Sequence, residues 1–117
     1  MPRFLLLALL LLASAARADD FVAGTEDLPL MPGLVAIAEG TLVFDKPEGR
    51  IVEARARGAL SREKVEAFYA ASLPQLGWAR SGADRWRRGA ELLRIDFRGR
   101  DGELTVGFTL SPQQEPK

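Results

Sequence analysis

At Gly77 the hydrophobic pattern of this chain changes period, and that change constrains the fold more than any other feature. Before it, Val65, Phe68, Tyr69, Ser72, Leu73 and Leu76 recur at three- and four-residue intervals, the spacing of one stripe along an α-helix. After it, apolar and polar residues alternate in twos, as they do along a strand with one buried face. Leu93, Ile95 and Phe97 share one side of such a strand, and Leu104, Val106, Phe108 and Leu110 share one side of the next. One amphipathic helix followed by alternating strands buries its apolar surface most simply by laying the helix across one face of an antiparallel sheet.

Turn chemistry divides the rest of the chain. A strand at 41–44 and an alternating one at 50–57 flank Asp45, Lys46, Pro47, Glu48 and Gly49, which reads as a β-hairpin. Ser61 is placed to cap a helix starting at Arg62, and Pro74, without an amide hydrogen, stops it near Ser72 or Leu73. Phe68 and Tyr69 are then core anchors. Glycine-bearing turns separate further strands at 78–80, 85–88, 92–98 and 103–110. The expectation is an α+β domain: an antiparallel sheet of five to six strands, ordered hairpin, helix, meander, with one helix packed on one face.

Residues 19–40 show little periodicity and carry Gly24, Pro29, Pro32, Gly33 and Gly40, which favour extended or turning backbone. Leu28, Leu30, Met31 and Leu34 are apolar enough to pin this stretch to the domain, and 34–37 has the composition to add a strand. The predicted organisation is an export signal at 1–18, an extended wrapping segment at 19–40, the α+β domain at 41–111 and a frayed tail at 112–117.

The signal is read from Arg3, the unbroken apolar run at 4–13, and the small residues Ala16 and Ala18 where a signal peptidase reads them. The run is shorter than the roughly 20 apolar residues that span a bilayer. Cleavage after Ala18 would leave 99 of the 117 residues, with no transmembrane anchor, in the periplasm or outside the cell. The chain has no cysteine, so the domain depends on packing and hydrogen bonding without disulfides. It has no histidine either, which rules out Ser-His-Asp and Cys-His catalysis and leaves only oxygen ligands for a metal. The expectation is a protein without catalytic residues, metal or cofactor.

Formal charge is zero over the whole chain, but its distribution is uneven. Residues 19–48 hold seven acids against Lys46, whereas residues 49–100 hold twelve basic and six acidic side chains. Arg55 and Arg57 point away from the Val52, Ala54 and Ala56 side of their strand. Arg94 and Arg98 point away from Leu93, Ile95 and Phe97, and Arg85 and Arg87 are placed to join them. Trp86, between these last two, is a further candidate for a contact surface. Together these residues define a basic sheet face suited to an acidic partner, a lipid headgroup or an anionic envelope polymer. The opposing reading pairs the same arginines with Glu53, Glu91, Asp96 or the acidic leading segment.

The run Asp27-Leu28-Pro29-Leu30-Met31-Pro32-Gly33, then Val65, Phe68-Tyr69, Leu73-Pro74 and Gly77-Trp78 ahead of a strand meander, resembles small exported bacterial envelope proteins of uncharacterised function. The resemblance implies export and the sheet-plus-helix module, and carries no catalytic residue with it. The functional expectation is a monomeric or weakly associating binding module for an anionic ligand or an envelope protein, with no nucleic-acid partner. A structural subunit that lends a sheet edge to an envelope assembly is the alternative. A less favoured one is a hydrolase using two of Asp84, Glu91, Asp96, Asp101 and Glu103.

Overall fold

In the computed structural model, residues 20–113 are described. The expected export signal, its cleavage point and residues 114–117 of the tail lie outside them. Seven strands and one α-helix fill the described residues: β1 (Val35–Ala36), β2 (Leu42–Lys46), β3 (Gly49–Gly58), α1 (Arg62–Ser72), β4 (Ala79–Gly82), β5 (Arg85–Arg88), β6 (Glu91–Arg100) and β7 (Glu103–Pro112). All pairings are antiparallel, in the order β1-β3-β7-β6-β5-β4, with β2 sharing the outer side of β3 with β1. The seventh strand, beyond the expected five to six, is β1, whose two residues pair with Ala56 and Arg57.

The helix forms where its signals stand. The Ser61 hydroxyl accepts a hydrogen bond from the Lys64 amide at 3.1 Å, satisfying one of the orphan donors of the first turn. α1 ends at Ser72, ahead of Pro74, and a short 3-10 turn over Pro74–Leu76 leads to Gly77, whose φ of 94° is left-handed. That turn rotates Leu76 out of the helical stripe, so it is exposed rather than buried. Val65, Tyr69 and Leu73 are the buried part of the stripe, and Phe68 is only half-buried at its margin.

α1 returns the chain from β3, inside the sheet, to β4 at the far edge. The meander β4-β5-β6-β7 then works back until β7 pairs with β3, Ala54 opposite Phe108 and Ala56 opposite Val106. This closure aligns Val52, Ala54, Ala56, Leu93, Ile95, Leu104, Val106 and Phe108 on one buried face. The Tyr69 ring meets Phe108 edge-on, with centroids 5.5 Å apart.

The leading segment forms the rest of the covering layer. Val22, Leu28 and Leu34 are buried in the same core as α1, and the Val22 amide bonds to the Leu28 carbonyl at 2.8 Å. The Tyr69 hydroxyl donates to the Pro29 carbonyl at 2.8 Å and accepts from the Met31 amide at 3.1 Å. Burial pushes this phenol well above its usual pKa, so it stays a neutral donor. Arg88 adds a second tie: it bonds Asp27 at 2.8 Å and Glu91 at 3.1 Å, and its guanidinium lies 4.4 Å from the centre of the Trp78 ring. Gly58 lets the Gly33 carbonyl pass so close that a Cβ there would collide with it. At the other end, β7 includes Pro112 and the Gln113 amide bonds to the Ala90 carbonyl, so order persists past the expected start of fraying.

Tyr69→Phe keeps the ring but leaves the Met31 amide and the Pro29 carbonyl without their shared partner. Stability should fall by about 1–3 kcal/mol in urea unfolding, with faster hydrogen exchange at the Met31 amide. A wild-type unfolding midpoint and exchange rate would show that the hydroxyl does not hold the segment.

Candidate functional site

Strand alternation sends every second residue to the side opposite α1, which the leading segment reaches only at Glu39 and Gly40 beside Arg55. The strand register sets these residues in rows. Arg57 and Arg98 lie opposite Thr105 from either side, Arg55 and Asp96 flank Gly107, and Glu53 and Arg94 flank Thr109. Arg94 is in turn opposite Arg85, and Arg87 is opposite Leu92. Arg55, Arg57, Arg85, Arg87, Arg94 and Arg98 are all exposed, and the sheet brings all of them to one face.

Among the described residues none of these arginines has an ion-pair partner; the pairs that form involve Arg50, Arg62, Arg88 and Arg100. The expected neutralisation by neighbouring carboxylates is therefore not the arrangement adopted. Glu91 is engaged by Arg88 on the opposite side of the sheet. Arg85 facing Arg94 is a direct like-charge cross-strand pair, which disfavours the sheet unless something else screens it.

Trp86 is a correction. It sits opposite Leu93 and Arg80 and is only 4% exposed, inside the core. The reason is the same period of two: a strand that turns Arg85 and Arg87 outward must turn the residue between them inward. Its ring packs in the core, with the Arg80 guanidinium 5.1 Å from its centre.

Residues that the sequence reading passed over complete the face. β7 contributes Thr105, Gly107, Thr109 and Ser111, a lane of small side chains between arginine-bearing β3 and β6. Their alternation with Leu104, Val106, Phe108 and Leu110 was the available signal. A Cβ on Gly107 would stand 2.7 Å from one Asp96 carboxylate oxygen and 2.9 Å from the other, so that carboxylate lies over bare backbone. Around it is a groove of about 300 Å³ where Arg55, Arg94 and Arg98 meet Glu39, Glu53 and Asp96. These six guanidiniums outnumber the three carboxylates of the groove by three, in a chain of zero formal charge.

The acids considered for hydrolysis are spread out. Glu91 pairs with Arg88, Glu103 lies 3.9 Å from Arg100, and Asp101 accepts from the Arg62 amide. Asp84, at the β4–β5 turn with a left-handed φ of 56°, is bonded by Arg62 at 3.2 Å. Desolvation in that turn and the nearby Glu66 carboxylate outweigh Arg62 and hold the Asp84 carboxyl above its ordinary value. Among the described residues no three acids cluster as a metal site, and no helix is long and apolar enough to cross a membrane.

A raised carboxyl favours folding below the ordinary carboxylate pKa, and that contribution is lost as pH rises through the folded value. Asp84→Asn, which tolerates the left-handed turn, should therefore gain stability relative to the parent as pH climbs through and just above the carboxylate range. Urea unfolding of both proteins over that range checks it, and parallel curves would refute it. No protein-family model, curated protein or solved structure matches the chain, so the reading of this face rests on its own geometry and charge.

Proposed function

We propose that this chain is an exported, non-enzymatic interaction module that holds an anionic ligand on the sheet face opposite α1. The observation that carries the reading is that Arg55, Arg57, Arg85, Arg87, Arg94 and Arg98 share one exposed face while none is ion-paired among the described residues. Planar guanidiniums suit carboxylate, sulfate or phosphate, and unpaired ones keep their donors available. Small side chains at Thr105, Thr109 and Ser111 leave the arginines on either side uncovered, while the Asp96 carboxylate occupies the space over Gly107. Export rests on the basic start, apolar run and small-residue cleavage pattern of the first eighteen residues.

A sheet-edge role in an envelope assembly is favoured by a separate observation: β2 is exposed along its whole length and, among the described residues, pairs only with β3. The two readings differ in salt dependence. Arginine-mediated binding weakens steeply between low and high salt, whereas strand addition barely responds.

Replacing Arg55, Arg57, Arg94 and Arg98 together by Gln should leave thermal unfolding near wild type and lower affinity for a soluble polyanion such as dextran sulfate by on the order of tenfold or more, with a flatter salt dependence. Unchanged, salt-sensitive binding would end the proposal. N-terminal sequencing of the protein recovered outside the cytoplasm should read Asp19, Asp20, Phe21; retention of Met1 would end the export part.

A further inference from the structure

The open face is not uniformly polar, and its apolar part sits where an interfacial contact needs it. Leu42 pairs with Glu53 and Phe44 with Ile51, so both side chains project on the arginine side of the sheet, at its edge. They are 50% and 46% exposed, large values for such side chains. Val43, 45% exposed on the other side of β2, and Val35, 66% exposed beside Arg57, extend apolar character along the same margin. Phe44 continues a row through Ile51 towards Leu92 and Arg87.

The layout of charge bears on the shape of the ligand. The carboxylates gather in the groove around Gly107, and Arg57, Arg85 and Arg87 lie outside it. From β3 to β5 is three strand spacings, about 14 Å, and from the row of Arg57 to that of Arg87 is six residues, about 20 Å. Positive charge is thus spread over an area, with acids at its centre, instead of following one line. A flexible polyanion threaded along the lane would run past Asp96. A planar array of anionic groups would meet the peripheral arginines, with Leu42 and Phe44 reaching beneath it.

We infer that the partner of this face is the surface of an anionic phospholipid bilayer, with arginines against lipid phosphates and the β2 margin entering the interfacial layer. The inference rests on the anion-binding reading and narrows it to one kind of ligand. Basic side chains near an anionic surface add attraction that fades within a Debye length, while embedded apolar side chains add a part that salt does not screen.

Cosedimentation of the protein as recovered from the cell with phosphatidylglycerol vesicles, phosphatidylcholine vesicles and soluble dextran sulfate separates the possibilities. Expected are binding to phosphatidylglycerol vesicles and to dextran sulfate, with weak binding to phosphatidylcholine. Replacing both Leu42 and Phe44 by Ser should lower vesicle binding by about tenfold, leave dextran sulfate binding unchanged and keep the wild-type melting temperature, since both residues are exposed. Phe44→Trp should show a blue shift in emission on adding phosphatidylglycerol vesicles, against a constant background from buried Trp78 and Trp86. Binding to dextran sulfate but not vesicles, or no effect of the double substitution on vesicle binding, overturns the membrane inference and leaves the anion-binding reading standing. Self-association abolished by the double substitution overturns it as well, by making β2 an interface between copies. Loss of both vesicle and dextran sulfate binding in wild type ends both readings.

Discussion

The hydroxyl of Tyr69 is the point on which the two layers depend. A buried phenol is costly without partners, and here it has two, the Pro29 carbonyl and the Met31 amide, on a segment that has no regular structure of its own. The same ring packs against Phe68 and Phe108, so helix, sheet and leading segment meet at one side chain. The helix is not large enough to cover the sheet alone. Its eleven residues span about 16 Å, whereas a ten-residue strand such as β6 or β7 runs about 33 Å. Val22, Leu28 and Leu34 close the remainder, and Arg88 with Asp27 holds that closure at its far end.

With α1 and residues 22–34 on one side, most of the other side stays in water and is free to carry charge; the leading segment reaches it only at Glu39 and Gly40, beside Arg55. That freedom does not explain why the charge is so one-sided. Cross-strand positions opposite an arginine are natural places for Glu or Asp, yet Arg57 and Arg98 face Thr105 and Arg85 faces Arg94. The signs interleave only around Gly107, where Glu53 and Asp96 stand among Arg55, Arg94 and Arg98; at Arg57 and Arg85 no carboxylate stands directly across. Unpaired like charges cost the isolated fold a little and reward a ligand that neutralises them, which is the usual direction of compromise between stability and binding.

Much of this was legible locally. Ser61, Pro74 and Gly77 mark the helix ends because capping and proline chemistry act within a few residues. The facing of Arg55, Arg57, Arg94 and Arg98 followed from alternation with Ala54, Ala56, Leu93, Ile95 and Phe97. Trp86 obeys the same rule: neighbours in sequence lie on opposite faces of a strand, so adjacency to Arg85 and Arg87 means burial, not exposure. Phe68 and Leu76 are less buried than their place in the helical stripe implies, because a helical stripe is wider than the part of it that meets the sheet and the 3-10 turn shifts phase after Ser72.

By itself the sequence determined the element types, the side of each strand that its side chains occupy and the place where helix gives way to sheet, since these depend on backbone preferences and periodicity over short distances. Only the tertiary structure decided that β7 inserts between β3 and β6, which sets Arg55 and Arg57 across a lane of small residues from Arg94 and Arg98. It also decided that Leu42 and Phe44 face the arginine side and that the strand expected over 34–37 narrows to Val35–Ala36 against β3. Strand order and register come from which closure buries the most apolar surface against α1 and the leading segment, a property of the whole chain that no short window of residues contains.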